Sequence, residues 1–473
     1  MIATQLKHRK SSIDLTEGAI LPKMIKFVLP LMATNFLQTF YSAADMMIVS
    51  LSSEANAVGA IGATGSLTNL IINIFMGFAV GTNVLVARYL GAKDSKRVSK
   101  IVHTSVIMSL IFGVFTAVLG LFFSRPILHL MGADDQILDL ATLYTKIYFC
   151  GNPFLAATNY LASVFRAKGD TKTPLYVLSV AGMINVALNL LFVLVFGMSV
   201  DGVATATAIS NLLSAAALLY ILMKDDSPCR FEFSKCKLDG RSFVSIVKEG
   251  LPAGIQGSIF SFSTVMIQSS IFKVNNALVP AGSGYAPVVN GTSAMANLDG
   301  FINTAVNSVY QASITFTSQN YGARKYKRIQ KVIVTSLLFG TVVGLLGSLI
   351  ITLFRDPLLA LYGIKKGAEG SLELLAYNAA MTRCSIVTAT YFLLGLMNIS
   401  TGIMRGLGKT LTSTVISLVG ACLLRVLWIV FVVDMFLSLE MIYVIFPITW
   451  LLTGLAQLFF AIAVLKRKIR EDG

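Results

Sequence analysis

The sequence predicts an all-α polytopic membrane protein, with twelve transmembrane helices in two six-helix lobes related by a parallel pseudo-two-fold repeat. Three observations carry this expectation. Of 473 residues, 55% are hydrophobic and only 13% charged, about half the charge that a soluble domain uses to wet its surface. Apolar stretches long enough to cross a bilayer, which takes about 20 residues per helix, recur twelve times. Short motifs from the first half return in the same order in the second.

The stretches run over 25–48, 58–84, 101–123, 137–160, 175–195, 202–223, 246–272, 286–317, 332–354, 371–397, 412–433 and 441–465. The first carries Asn35, Gln38 and Asp45, so it is too long and too polar for the core of a cleaved leader. Basic residues set the orientation. Of the 38 Lys and Arg, 30 fall at the termini and in every second connection, and 5 in the opposite connections. Such a split places both termini in the cytoplasm. The net charge of +15 then follows from topology and contact with anionic lipid, and no nucleic-acid partner is expected.

Residues 1–223 read as an N-lobe holding spans 1–6 and 246–473 as a C-lobe holding spans 7–12. The cytoplasmic stretch 224–245 reads as a tolerant linker between them. Gly91-Ala-Lys-x-x-Lys-Arg returns as Gly322-Ala-Arg-x-x-Lys-Arg, Arg166-x-x-Gly-x-Thr-x-Thr returns at Arg405, and Lys26-x-x-Leu-Pro returns at Lys248. Six spans per half is an even number, so both copies enter the membrane from the same side and the substrate path lies between the lobes. The five cysteines lack any metal-ligand spacing. Cys229 and Cys236 fall in the linker, where reduced thiols are expected.

A carboxylate near mid-membrane costs roughly 2.5–3.5 kcal/mol on insertion scales, so a buried acid there is a functional-site hypothesis by default. Only Asp45 and Asp299 lie well inside spans. Asp45 shares a helix face with Asn35, Gln38 and Ser42, 15 residues beyond Pro30, which removes a backbone hydrogen bond and can bend the span. In the second half Asp299, Asn303, Asn307 and Gln311 recur every four residues and form one polar stripe. These two faces, Asn35 and Gln38 on one and Asp299, Asn303 and Asn307 on the other, are the candidate lining of a substrate cavity. Arg383 and Arg425 lie deep in spans 10 and 11. Buried charges need partners, which leaves two readings: a structural Asp299–Arg383/Arg425 network, or a second ion or substrate site whose pairing switches during transport.

Glycine pairs at Gly77/Gly81, Gly250/Gly254 and Gly340/Gly344 read as close helix contacts. Gly408-Lys409-Thr410 imitates the end of a phosphate loop, but Ile403 stands where its first glycine belongs, so ATP is not expected. No Ser/His, His-x-x-x-His or paired-acid constellation marks an enzyme.

Pro30 followed by Asp45, Gly91-Ala92, Gly202-Val203-Ala204-Thr205-Ala206-Thr207, Gln319-Asn320-Tyr321-Gly322-Ala323 and Arg405-Gly406-Leu407-Gly408-Lys409 together resemble the multidrug and toxic compound extrusion (MATE) family. That family belongs to the wider multidrug/oligosaccharidyl-lipid/polysaccharide exporter superfamily. The resemblance covers essentially the whole chain. It implies a two-lobed cell-membrane antiporter, functional as a monomer, that exports cationic amphipathic small molecules in exchange for Na⁺ or H⁺ and has no other cofactor. It also implies a cation site formed by the first-span Asp and a fifth-span Asn-x-x-x-Asp. Here those positions read Asp45, Asn185 and Asn189, so the second acid is missing. Tyr144 and Thr207 match the polar cluster around that site, and Asp45 is where a Na⁺ would bind. The alternative from the same superfamily is a flippase for a lipid-linked oligosaccharide or another amphipathic metabolite, with Arg383 and Arg425 taking a pyrophosphate.

Overall fold

A computed structural model of the chain describes residues 13–52, 54, 56–131, 134–279, 285–433 and 435–472. Lys7, Arg9 and Lys10, which contribute to the orientation argument, and His8 lie outside the described residues. No strand occurs among the described residues. Twelve long helical segments follow one another: α1 (Ile20–Val49), α2 (Ala57–Gly91), α3 (Ser95–Leu130), α4 (135–167), α5 (Lys172–Val195), α6 (Val200–Met223), α7 (Gly240–Leu278), α8 (Pro287–Gly322), α9 (Tyr326–Leu353), α10 (Leu372–Gly406), α11 (Thr410–Val433) and α12 (Leu439–Asp472). Among the described residues, nine of these are long and apolar enough to cross a membrane. The other three have visible reasons to fall short. A break at Gly151 divides α4 into Asp135–Cys150 and Asn152–Ala167, while α7 carries Gln256, Gln268 and Asn275 and α8 carries the Asp299 stripe.

The duplication is written into the backbone. Among the described residues the non-glycine positions with positive φ are Lys93 (58°) and Arg324 (56°), which are counterparts in the repeated motif. A left-handed L-residue costs roughly 1–2 kcal/mol, and both copies bear that cost to turn sharply after α2 and after α8. The second motif repeats its turn as well, with Gly169 at 86° and Gly408 at 75°. After Gly169, Asp170 Oδ1 accepts from the Lys172 and Thr173 amides at 3.1 and 3.0 Å and so starts α5. Such a cap satisfies amide donors that have no partner within the helix. The twins α5 and α11 also both contain π turns, at Leu191–Val195 and at Leu418–Leu423 and Ile429–Val433.

The chain forms two compact units, residues 1–258 with 318–325, and residues 259–317 with 326–473. In the first, Phe78 stacks on Phe112 with centroids 4.9 Å apart, within a core built from Leu85, Val102, Met108, Tyr160, Phe165 and Leu218. Gly77 and Gly81 of α2 lie directly against Gly254 and Gly250 of α7, and a Cβ on Gly81 would stand 2.8 Å from the Gly250 nitrogen. In the second unit Met295, Leu298, Tyr443 and Trp450 pack into one core. Gly344 there lets α9 approach α10 at Phe392, where a Cβ would meet the Phe392 Cα at 2.9 Å.

The connection after α6 is packed rather than slack. Cys229 and Phe231 are buried in the core of the first unit, and the Phe231 ring stacks on His103 at 4.8 Å. The Glu232 amide donates to His103 Nε2 at 3.0 Å, and the Asp239 amide to Thr104 Oγ1 at 3.2 Å. Lys168 Nζ reaches Asp225 Oδ2 at 2.6 Å. Burying one large apolar side chain contributes about 1.5–3 kcal/mol, so Phe231 alone makes residues 224–239 part of the fold.

Candidate coupling site and a second buried charge

α1 and α5 are brought together where Gly182 has no side chain. A Cβ at this position would lie inside the Tyr41 ring, and the Tyr41 hydroxyl donates to the Ser179 carbonyl at 3.1 Å. This contact places Asp45, three helical turns on from Asn35, beside the end of the α-helical part of α5. Asn189 Nδ2 donates to Asp45 Oδ1 at 2.5 Å and is 3.3 Å from Asn185 Oδ1. Asn185 Nδ2 in turn lies 3.4 Å from Thr207 Oγ1 on α6. Asn185 and Asn189 are both buried, and the Asn189 carbonyl oxygen is a buried acceptor with no hydrogen-bond donor. The π turn of α5 begins two residues later, and such bulges are frequent at functional sites.

The Tyr144 ring, also buried, stacks on Tyr148 with centroids 5.7 Å apart, and both phenols lie within electrostatic reach of Asp45. The five predicted residues are thus gathered at one place by α1, α4, α5 and α6. Tyr148 is an addition, and its signal was its position one helical turn after Tyr144. Asn35 is half-buried, whereas Gln38 and Ser42 are exposed. The polar face of α1 thus runs from solvent-accessible surface into the cluster. The cluster offers oxygen ligands from one carboxylate, two amides and a hydroxyl. That donor set suits a small hard cation, and only the carboxylate can take up a proton.

The second acid sits in the other unit. Asp299 is 1% exposed; its Oδ2 lies 2.9 Å from Arg383 Nε, and its Oδ1 accepts from the Thr388 hydroxyl at 2.6 Å. α10 breaks at the 3₁₀ turn Thr388–Thr390, which begins with the second of these partners. Arg383 also covers the Tyr443 ring at 5.3 Å. Arg425 belongs to a different contact: its Nε donates to Thr449 Oγ1 at 3.1 Å, its guanidinium lies over Phe446 at 4.5 Å, and its Nη2 is buried with no hydrogen-bond partner. Asn303 and Asn307 are exposed, with Gln311 Nε2 3.3 Å from Asn307 Oδ1. The stripe on α8 therefore has one buried end, held by Arg383, and one exposed end. Thr388, Tyr443 and Thr449 carried no sequence signal, because nothing in their spacing singles them out.

The two acids are not twins. Counting by the offset of Lys26 and Lys248, the counterpart of Asp45 is Ile267; by that of Gly91 and Gly322, the counterpart of Asp299 is Thr68.

The described residues form a helical, internally duplicated membrane protein with a half-buried acid set among amides and a hydroxyl, and its class is that of a membrane transporter. The MatE family model matches residues 30–191 and 261–431, one match in each repeat. The chain belongs to the MATE family of multidrug efflux transporters. It is 29% identical to the probable multidrug resistance protein YoeA of Bacillus subtilis, over 84% of this chain and 83% of that protein. It is 22% identical to the multidrug export protein MepA of Staphylococcus aureus, over 87% of this chain and 88% of that one. Among solved structures, the outward-facing conformation of a multidrug resistance MATE family transporter shares the fold with a TM-score of 0.87. That match is 18% identical and covers 98% of this chain and all of the other.

Proposed function

We propose that the protein is a cell-membrane antiporter that exports cationic amphipathic compounds in exchange for Na⁺ or H⁺, working as a monomer by alternating access. Lobes 1–223 and 246–473, joined by the connection 224–245, rock about their interface, with both termini in the cytoplasm. The observation that carries this reading is the hydrogen bond of Asn189 to Asp45, with Asn185, Thr207 and Tyr144 around it. An ionised Asp45 in this setting has one amide donor and, among the described residues, no cationic partner. Its charge is compensated when a Na⁺ sits among Asp45, the free Asn189 oxygen, Asn185 and Thr207, or when a proton neutralises it. A single carboxylate holds a single charge, so one coupling cation is exchanged here per cycle.

The exposed faces at Gln38, Asn303 and Asn307 are the lining offered to the organic cation. A lipid-linked substrate would need arginines free to take a pyrophosphate. Arg383 is committed to Asp299 and Arg425 is buried against Phe446, which favours the cationic substrate. The test is export of a cationic dye into the lumen of inside-out vesicles, which stands for the cell exterior, under an imposed Na⁺ or H⁺ gradient. One of the two gradients should drive export in the native protein and fail to do so in Asp45→Asn; export by both proteins alike would overturn the reading.

A further inference from the structure

The two copies of the Gly-Ala-basic motif meet face to face. A Cβ on Gly91 would collide with the Gln319 carbonyl group, 2.8 Å from its carbon and 3.1 Å from the Ala323 nitrogen. One on Gly322 would collide with the Arg88 carbonyl group, 2.7 Å from its carbon and 3.1 Å from the Ala92 nitrogen. Arg88 and Gln319 are counterparts in the repeat, as are Gly91 and Gly322, so the contact is reciprocal: each helix end offers its glycine to the other's carbonyl. The backbone contact of α2 with Gly250 and Gly254 continues it along α2. At the same end Arg88 Nη2 lies 3.8 Å from Glu249 Oε1, and the Arg88 guanidinium covers Tyr321 at 5.4 Å.

A short segment preceding α1 is strung across this contact. The Ile13 amide donates to the Gly169 carbonyl at 3.2 Å. Leu15 is fully buried, and its carbonyl accepts from Asn320 Nδ2 at 3.1 Å. Lys325 Nζ donates to the Thr16 carbonyl at 3.1 Å and lies 3.3 Å from Glu17 Oε1. Lys23, in the first turn of α1, donates to the Asp14 and Glu17 carbonyls at 2.5 and 2.8 Å. Behind the segment, Gln319 Nε2 donates to the Ala167 carbonyl at 2.7 Å. Residues 13–17 thus touch the α4–α5 turn and the start of α1, both from the first repeat, and the end of α8 from the second.

We propose that residues 13–17 are a strap that holds the α2–α8 contact shut, and that this contact is the gate which parts when the transport path opens to the cytoplasm. The second half of the proposal rests on the alternating-access reading above. A seal made of two glycines against two carbonyls has no side chain that can swing aside, so it opens only when the helix ends separate. The strap bonds to both repeats, mostly through its own carbonyls, and must let go of Asn320 and Lys325 for that separation to occur. The basic residues Lys93, Lys96, Arg97, Arg324, Lys327 and Arg328 crowd the same end, as the cytoplasmic side of a membrane requires.

The first test needs no substrate. Hydrogen exchange is measured on the full chain in lipid nanodiscs, native and with Asn320→Ala. Exchange should quicken roughly tenfold or more at 13–18 and, through the shared contact, at 86–92 as well. Release of 13–18 with 86–92 unchanged overturns the strap. If Asn320→Ala does not fold, Leu15→Ala is read the same way. The second test replaces the five native cysteines, introduces Thr16→Cys with Lys325→Cys, and follows dye export before and after oxidation. Cross-linking should abolish export and reductant should restore it, while equal export by the cross-linked and reduced proteins overturns the gate. Absence of export even in the reduced protein counts against the transport reading, and the exchange result then decides the strap by itself.

Discussion

Asp299 binds two residues of α10 at its break, Arg383 before it and Thr388 within it. The acid therefore ties α8 to the place where α10 changes direction. Asp299 is fully buried and Arg383 nearly so, and removing one member of such a pair leaves the other charge buried and unpaired. Asp299→Asn and Arg383→Gln should each destabilise the protein by about 3–5 kcal/mol. The double variant should recover most of that loss, as measured by thermal unfolding in detergent. Recovery of stability together with export assigns the pair to structure; recovery of stability alone assigns it to the transport cycle.

At the proposed coupling site, Asn189→Asp puts a second carboxylate where the amide now lies 2.5 Å from Asp45. Two carboxylates this close do not both ionise without a cation between them. The variant should therefore take up a second cation, and the dependence of export on the coupling gradient should steepen from first towards second order. An unchanged slope in vesicle flux assays would show that Asn189 is not in the ion's path.

Gly182 and Tyr41 occupy the same space. Gly182→Ala forces a methyl group into the Tyr41 ring, and overpacking of this kind costs typically 1–3 kcal/mol. Adding Tyr41→Ala should return part of that loss, and a double-mutant cycle on unfolding midpoints should show coupling of about 0.5–3 kcal/mol. Additive losses would mean that α1 and α5 do not meet here.

The docked connection should be sensitive to acid. Burial raises the Asp225 carboxyl, but the Lys168 ammonium and the Ser227 bonds outweigh it, so the group stays below its ordinary value of 3.8. A carboxylate lowered by folding adds stability that is fully present above the ordinary value and is lost as pH falls through the folded one. Exchange protection of 224–232 should hold at neutral pH and fail in that acid window. Asp225→Asn should remove about 1.5–3 kcal/mol of it at neutral pH, measured as local exchange rates.

Apolar run lengths place a stretch in each of the twelve long helices, nine of which are apolar enough to cross a membrane among the described residues, and the repeat is visible in three motifs, because both depend on residue type at fixed spacing. Asp45 and Asp299 stand out for the same reason, as charges where water is scarce. The rest of each site is tertiary. Thr388 matters because α10 breaks beside it, and Tyr443 because α12 passes over Arg383. Neither can be foreseen from a neighbour in sequence. The connection 224–239 reads as a linker because it is polar and long. Two of its apolar residues, Cys229 and Phe231, are what fastens it, and nothing in the sequence separates them from Phe233, Cys236 and Leu238, which are exposed. The choice between Arg383 and Arg425 for Asp299 is likewise settled by packing, since both arginines are equally deep in the sequence.

The placement of Asp45 opposite Ile267, and of Asp299 opposite Thr68, says something about ancestry. Gene doubling yields two identical halves, and an ancestor built that way would have carried every ionisable group in pairs. This chain repeats its build, down to the strained turns at Lys93 and Arg324, while its two deep acids stand on helices that are not counterparts. One half holds an acid among amides, and the other an acid neutralised by its own arginine. The two halves are alike in build and unlike in the acid each holds, so on the proposed reading a chain with two copies of the second half should lose coupling.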